Sequence, residues 1–234
     1  MIKKKEPERK KVCAKCGGRQ FIFNPDGTTV ACECRAAALA QLRLKKAEIP
    51  PRFINKSVDS FSGAEKKISQ LRTSAKAFIN NFPSPADKKG LIFMGTTGCG
   101  KTHLAIGILK AVIEKGYTGY YCNVVDFFTR LRDTFAGDTE YDEMDLLDKV
   151  ARVNLLVLDD LGAEQPSVWK LDRLYALVNK RYEQNSPIIV TTNKLDVNDL
   201  EDFIGPRIVS RLCEMCQIMD KFPNADYRKK DLGK

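Results

Sequence analysis

The chain has 234 residues, 43% hydrophobic and 29% charged, which suits one medium α/β domain with a small appendage. Its longest apolar runs, such as Leu155–Leu158 and Ile188–Val190, are strand-sized and fall short of the roughly 18–20 residues of a membrane span, which excludes a spanning helix. The net charge of +9 lies wholly in the first quarter: residues 1–56 carry fourteen Lys/Arg against five Asp/Glu, while residues 57–234 carry twenty-five of each.

The N-terminus, Met-Ile-Lys-Lys-Lys-Glu, has no apolar stretch behind it, which argues against a secretory signal and for the cytoplasm. In that reducing compartment eight cysteines predict metal ligation or burial rather than disulfides. Lys3–Lys11 reads either as a solvated basic tail or as part of an electrostatic module for nucleic acid or an acidic protein surface. Cys13-x-x-Cys16 and Cys32-x-Cys34 enclose a predicted hairpin, with strands Gln20–Asn24 and Thr28–Cys32 around a Pro25-Asp26-Gly27 turn. Four thiolates so placed can close a tetrahedral Zn²⁺ site, and the metal would stabilise a segment too poor in apolar residues to fold alone. The second pair is C-x-C rather than the commoner C-x-x-C, and buried or redox-active thiols are the other reading. Arg35–Glu48 is a predicted helix. Ile49-Pro50-Pro51-Arg52-Phe53 breaks it and opens a linker, and Ala64–Phe82 is a second helix stopped by Pro83-Ser84-Pro85. The expected division is a basic zinc-binding module over 1–48, a linker over 49–63 and a core domain over 64–234.

From Gly90 strands and helices alternate. Strands are predicted at Leu91–Met94, Gly119–Asn123, Val153–Leu158, Pro187–Thr191 and, briefly, Gln217–Asp220. Helices are predicted from the Gly-rich turn to about Lys115 and over Asp126–Phe135, Asp142–Arg152, Val168–Asn185 and Gly205–Cys216. Such alternation predicts an α/β fold, a parallel sheet covered by helices on both faces.

Gly95-Thr96-Thr97-Gly98-Cys99-Gly100-Lys101-Thr102 fits G-x-x-x-x-G-K-[ST] in full and lies between an apolar strand and a helix start. The glycines let successive N–H groups turn toward an anion at a helix N-terminus. Lys101 is expected to reach the β- and γ-phosphates of ATP, and the Thr102 hydroxyl to bind Mg²⁺. Leu155–Leu158 leads into Asp159 and Asp160, which a parallel sheet delivers to the same edge. There Asp159 would serve the magnesium and Asp160 would polarise the attacking water. Ile188-Ile189-Val190-Thr191-Thr192-Asn193 ends at that edge too. Asn193 either orients the water and senses the γ-phosphate or simply caps a turn. Lone His103 reads as a packing or surface residue. Cys213 and Cys216 read as helix packing, Cys122 as strand core and Cys99 as a small filler in the loop.

Six stretches spread over roughly residues 49–230 carry a resemblance. They are Ile49-Pro50-Pro51-Arg52-Phe53, Gly95–Ala105, Leu158-Asp159-Asp160-Leu161-Gly162-Ala163-Glu164, Thr191-Thr192-Asn193, Arg207-Ile208-Val209-Ser210-Arg211-Leu212 and Asp226-Tyr227-Arg228. The chain resembles the AAA+ superfamily, and within it the DnaC/DnaI/IstB-type helicase loaders and transposition helper ATPases. The resemblance implies the P-loop AAA+/ASCE three-layer α/β/α fold and an ATPase that works as a homo-oligomer through its ATP sites. It places Arg211 at the arginine-finger position, where it would offset charge on a neighbouring subunit's γ-phosphate, with Arg207 as substitute one turn earlier. An ordinary surface arginine paired to an acid is the other reading of Arg211. Asp160 stands where many AAA+ proteins have Glu, which implies slow or partner-dependent hydrolysis. Only about 14 residues follow the last predicted strand, so the C-terminal helical lid is expected to be absent, with Arg228 a candidate stand-in for its sensor arginine.

The resemblance also implies that the zinc module grips a helicase, with direct DNA binding by the same basic surface as the rival. In such proteins the region of residues 126–152 grips single-stranded DNA. Phe127, Phe128, Arg130, Arg132 and Phe135 mix rings with cations as that contact needs, yet Phe128, Leu131 and Phe135 equally describe a core-facing stripe. The acidic helix with Asp142, Glu143, Asp145 and Asp148 argues against DNA along its exposed face. The expected function is ATP-dependent loading of a replicative, hexameric DnaB-type helicase onto single-stranded DNA in DNA replication. Two alternatives stand beside it. One is an IstB-like transposition helper, a group that generally lacks a zinc module, and the other is a nucleotide-gated DNA-binding adaptor with weak hydrolysis.

Overall fold

A computed structural model describes residues 12–62, 65–83, 90–134, 142–163 and 166–229. Its core is a five-stranded sheet built from β3 (Gly90–Met94), β4 (Gly119–Asn123), β5 (Leu155–Leu161), β6 (Ile188–Thr192) and β7 (Cys216–Met219). All pairs are parallel, and the spatial order is β4-β5-β6-β3-β7. The apolar runs are explained by this burial on both faces. Alternate residues feed two separate cores. Ile92, Met94, Leu156, Leu158 and Val190 face α4 (Val124–Asp133), α5 (Glu143–Ala151), α6 (Val168–Glu183), α7 (Val197–Ile204) and α8 (Pro206–Met215). Leu91, Phe93, Val157 and Ile189 face α2 (Lys66–Asn81) and α3 (Lys101–Glu114).

Ahead of the core lie an antiparallel hairpin, β1 (Phe21–Phe23) with β2 (Thr29–Ala31), and α1 (Glu33–Lys46). The helix starts two residues before its predicted Arg35, so Cys32 becomes its N-cap and Cys34 sits in its first turn. The segment expected as a linker is pinned to the core instead. Phe53, Val58 and Phe61 are buried, and Lys110 donates to the carbonyls of Ile54 and Lys56, the latter at 2.9 Å. Gly107 on α3 permits this approach, since a Cβ there would come within 2.8 Å of the Ser57–Val58 backbone.

Three other boundaries depart from expectation. Strand β5 begins at Leu155 and runs through both carboxylates to Leu161, with a register shift against β6 after Leu158. Helix α4 begins at Val124 because the Asn123 side chain caps it, accepting from the Val125 and Asp126 amides. Helix α7, capped by Asp196, was not predicted, and Pro206 rather than Gly205 opens α8. Ala64, Ser84, Pro85, Phe135, Glu164 and Lys3–Lys11, on which several expectations fell, lie outside the described residues. Among the described residues, only β7 and a 3-10 turn at Tyr227–Lys229 follow α8, so no helical lid is seen there. No helix is long and apolar enough to cross a membrane.

Candidate nucleotide-binding site and cysteine cluster

The loop between β3 and α3 curls as the glycine pattern requires, with Gly95, Gly98 and Gly100 all at positive φ. Gly98 is constrained twice over, because a Cβ on it would fall 1.8 Å from Asp226 Oδ1. The C-terminal segment therefore lies against the loop, where the Tyr227 amide donates to the Gly98 carbonyl at 3.1 Å. Lys101 is buried at the head of α3, and its ammonium donates to the carbonyls of Gly95 and Thr96, both at 2.7 Å. A cavity of about 520 Å³ opens over this loop. Thr97, Gly98, Gly100, Lys101, Thr102, Asp160 and Asn193 line it, as expected from the sequence. Cys99 is fully buried behind the loop.

Asp159 is 1% exposed and accepts three hydroxyl hydrogen bonds: from Thr102 at 2.8 Å, Thr191 at 2.7 Å and Tyr121 at 2.7 Å. Burial, then the adjacent Asp160 charge, push its carboxyl above the usual carboxylate range, against the pull of these hydroxyls. Burial likewise raises Tyr121, followed by the Asp159 charge, so its hydroxyl remains the donor. Asp160 takes a left-handed conformation, φ 59°, and its amide donates to Thr191 Oγ1 at 3.0 Å. Thr191 thus ties both acidic residues to β6. A positive φ on a residue other than glycine is strained, and here it turns the Asp160 carboxylate into the cavity while Asp159 stays beneath.

Sequence reasoning missed several members of the site. Thr191 and Tyr121 sit on neighbouring strands and are visible only once the register is known. Arg52, Phe53 and Lys56 come from the segment read as a linker, and Tyr227 from the C-terminal segment, beside Arg228, the expected stand-in for a sensor arginine. His103 also faces the cavity. Its Nε2 lies 3.0 Å from the Ser57 carbonyl and 2.9 Å from Ser60 Oγ, and burial holds it below its ordinary pKa. Its role in the geometry is to anchor the cavity wall.

Arg211 and Arg207 stand apart from this cavity, on α8. The Arg211 guanidinium donates to Asn179 Oδ1 at 2.8 Å, Tyr175 OH at 2.9 Å and the Arg207 carbonyl at 3.2 Å. It also lies over the rings of Tyr175 and Tyr182. Arg207 is exposed. Phe127 and Phe128 are both 4% exposed and belong to the core, which settles the stripe in favour of packing. Arg130 pairs with Glu48, while Arg132 on the same helix is exposed.

Cys13, Cys16, Cys32 and Cys34 converge, with all four sulfurs within 4.8 Å of one another. Cys13–Cys32 is 3.8 Å and Cys16–Cys34 is 3.4 Å. These separations are too long for disulfides. They approach the edge, about 3.8 Å, of a tetrahedron with the ~2.3 Å arms of a zinc–thiolate site. Burial opposes ionisation of Cys16, but hydrogen bonds from the Cys34 thiol and the Gln20 amide draw it down to about 7. The donor set fits Zn²⁺.

A strand-loop-helix phosphate cradle on a parallel sheet, with a buried carboxylate on a second strand and a polar strand end between them, defines a P-loop protein of the AAA+ class. The sequence matches the family described as IstB-like ATP binding protein over residues 35–232, and the chain belongs to that family. The replicative helicase loader DnaC of Escherichia coli K12 is 25% identical over 198 residues, covering 83% of this chain and 78% of that protein. A putative ATP-binding protein of insertion sequence IS5376 from Geobacillus stearothermophilus is 31% identical over 170 residues, covering 68% and 60%. Among solved structures, the DnaC helicase loader superposes with TM-score 0.65 at 31% identity, covering 72% of this chain and 98% of that one. DnaI superposes with TM-score 0.63 at 22% identity, covering 76% and 94%, a likeness of fold.

Proposed function

We propose that this protein is a magnesium-dependent ATPase that loads a replicative hexameric helicase onto single-stranded DNA. The observation behind the reading is the match to the DnaC helicase loader, which extends over nearly all of that solved chain. The site chemistry supports it. Lys101 would exchange its carbonyl partners for the β- and γ-phosphate oxygens of ATP. Thr102 and Asp159 offer converging oxygens to Mg²⁺, which when bound supplies charge neutralisation at the phosphates. Asp160 accepts the proton of the attacking water, and Asn193 orients that water from the end of β6. Arg211 acts in trans, presented to the next subunit's ATP by its cage on α6, and ATP binding assembles the subunits. The N-terminal module with Cys13, Cys16, Cys32 and Cys34 holds Zn²⁺ and docks the helicase. On α4, Arg132 contacts the phosphates of the strand.

A second reading, the transposition helper, is favoured by the family match and by the insertion-sequence relative. The cysteine module distinguishes the two, because nearly all of it precedes the matched residues 35–232. The deciding experiment reconstitutes the protein with the host's replicative helicase on closed circular single-stranded DNA and measures ATP-dependent helicase loading. Asp160→Ala should bind ATP but fail to turn over. Equal turnover in both proteins would favour the adaptor with weak hydrolysis. Absence of helicase loading, together with stimulation of a transposase, would replace the loader reading.

A further inference from the structure

The loader reading leaves one surface of the N-terminal module without a task. Side chains alternate along a strand, so Phe21 and Phe23 leave β1 by one face and Ile22 by the other. Opposite them on β2 stand Ala31 and Thr29, too small to cover the rings. Phe23 is 64% exposed. A guanidinium lies over each ring: Arg35 at 4.4 Å from the Phe21 centroid and Arg19 at 5.9 Å from that of Phe23.

Among the described residues, the acids of the module do not neutralise these arginines. Glu33 is paired with Lys15 at 2.6 Å. Asp26 accepts from the Thr28 amide and hydroxyl within its own turn. Among the described residues neither Arg19 nor Arg35 is in an ion pair. The sequence places the whole excess of positive charge in this quarter of the chain. An exposed Phe23 ring beside a half-buried Phe21, flanked by guanidinium groups that are in no ion pair among the described residues, matches a chain of unstacked bases joined by phosphates. Bases stack on rings and on guanidinium planes, and the phosphates answer the charge. A protein surface with apolar pockets would use the rings and leave the cations unanswered.

We propose that the Phe21–Phe23 face of the hairpin is a stacking platform for single-stranded nucleic acid, separate from the nucleotide site and from the arginines of α4. The full-length, zinc-loaded protein is titrated without ATP against a fluorescein-labelled oligothymidylate, and anisotropy is recorded. Phe23→Ala combined with Arg19→Ala should weaken binding about tenfold. Arg19→Ala alone should flatten the dependence of log affinity on log salt by roughly 0.7. Because Phe23 is exposed, the zinc content and ATP affinity of these variants should match wild type. Phe23→Trp should keep the affinity, and its new indole should be quenched by the oligonucleotide relative to wild type, whose only tryptophan is Trp169. Wild-type affinity in the double variant, or an unquenched indole in Phe23→Trp, overturns the proposal and leaves the face to a protein partner. The result is independent of the loader reading, since neither ATP nor a helicase is present.

Discussion

Asp159→Asn should stabilise the fold in the absence of ATP even though it removes a residue of the proposed magnesium site. The wild-type carboxylate is 1% exposed, and burial, then the adjacent Asp160 charge, work against its ionised form. Neutralising a buried carboxylate removes its desolvation cost, about 1.4 kcal/mol for each pKa unit by which burial raises the group. Three hydroxyl hydrogen bonds at 2.7–2.8 Å already compensate Asp159. An asparagine oxygen keeps those from Thr102 and Thr191, and Tyr121 can turn its hydroxyl to accept from the amide. The gain is therefore modest, about 1 kcal/mol, which for a chain of this size raises Tm by roughly 2–4 °C. The sign with pH follows from the raised carboxyl. The folded state holds its proton at a pH where the unfolded chain has already released it. Wild-type stability therefore falls relative to the variant as pH rises through that interval, and the gap closes as pH falls below it. Differential scanning calorimetry in a chelating buffer at pH 8 and at acidic pH tests this. An Asn variant that melts lower at pH 8, or a gap that does not narrow in acid, refutes the reasoning. Magnesium with ATP should reverse the order, stabilising only the wild type.

Gly98→Ala should weaken ATP binding at least tenfold by calorimetric titration, since the left-handed backbone costs about 1–2 kcal/mol and the new methyl displaces Asp226 from the loop. Mercurial titration of the thiols should release equimolar zinc to a chromophoric chelator, Cys16→Ser should abolish that release, and ATP affinity should be unchanged in both cases. Arg181→Ala should cost about 3 kcal/mol in urea unfolding, because buried carbonyls lose charged hydrogen-bond donors. That guanidinium is fully buried and donates to the carbonyls of Ala151, Val153 and Pro187, of which Pro187 keeps a 3.4 Å bond from the Leu156 amide. Asn179→Ala should loosen Arg211 and lower kcat at high protein concentration while leaving KM for ATP in place, because Asn179 lies outside the nucleotide cavity.

The local features were legible because their physics is local. An eight-residue loop specifies its own curl through three glycines, and a run of four apolar residues before two aspartates specifies a buried strand that ends in charge. What escaped is set by register and by distant packing. Nothing near Tyr121 says that it bonds a carboxylate thirty-eight residues away, and Thr191 reads only as a polar strand end. Ile49–Phe53 looks like a helix breaker, which it is, but Arg52 and Phe53 also reach the cavity wall, while Lys110 and His103 of α3 pin the residues that follow at Ile54, Lys56 and Ser57. Helix α7 escaped because eight residues, barely two turns, are too short a stretch for a helical period to be read with assurance from sequence. Arg181 was unreadable for the opposite reason, since a charged residue late in an amphipathic helix ordinarily faces water.

The strand order explains why Thr191 matters to the chemistry. Strand β6 lies between β3, which carries the phosphate loop, and β5, which carries the acids, so the two halves of the site do not touch through their backbones. The Thr191 hydroxyl on β6 accepts from the Asp160 amide and donates to the Asp159 carboxylate, while Thr102 reaches the same carboxylate from the loop side. Asp159 is thus the point at which β4, β5, β6 and α3 meet, and burial, then the Asp160 charge, work against its ionised form there. In the proposed ATPase a divalent ion at this point would relieve that cost. From the end of β6 the chain passes directly through α7 into α8. Asn193 at the cavity and Arg211 on the far helix are therefore joined by two short helices, the first capped by Asp196, with no long loop between them.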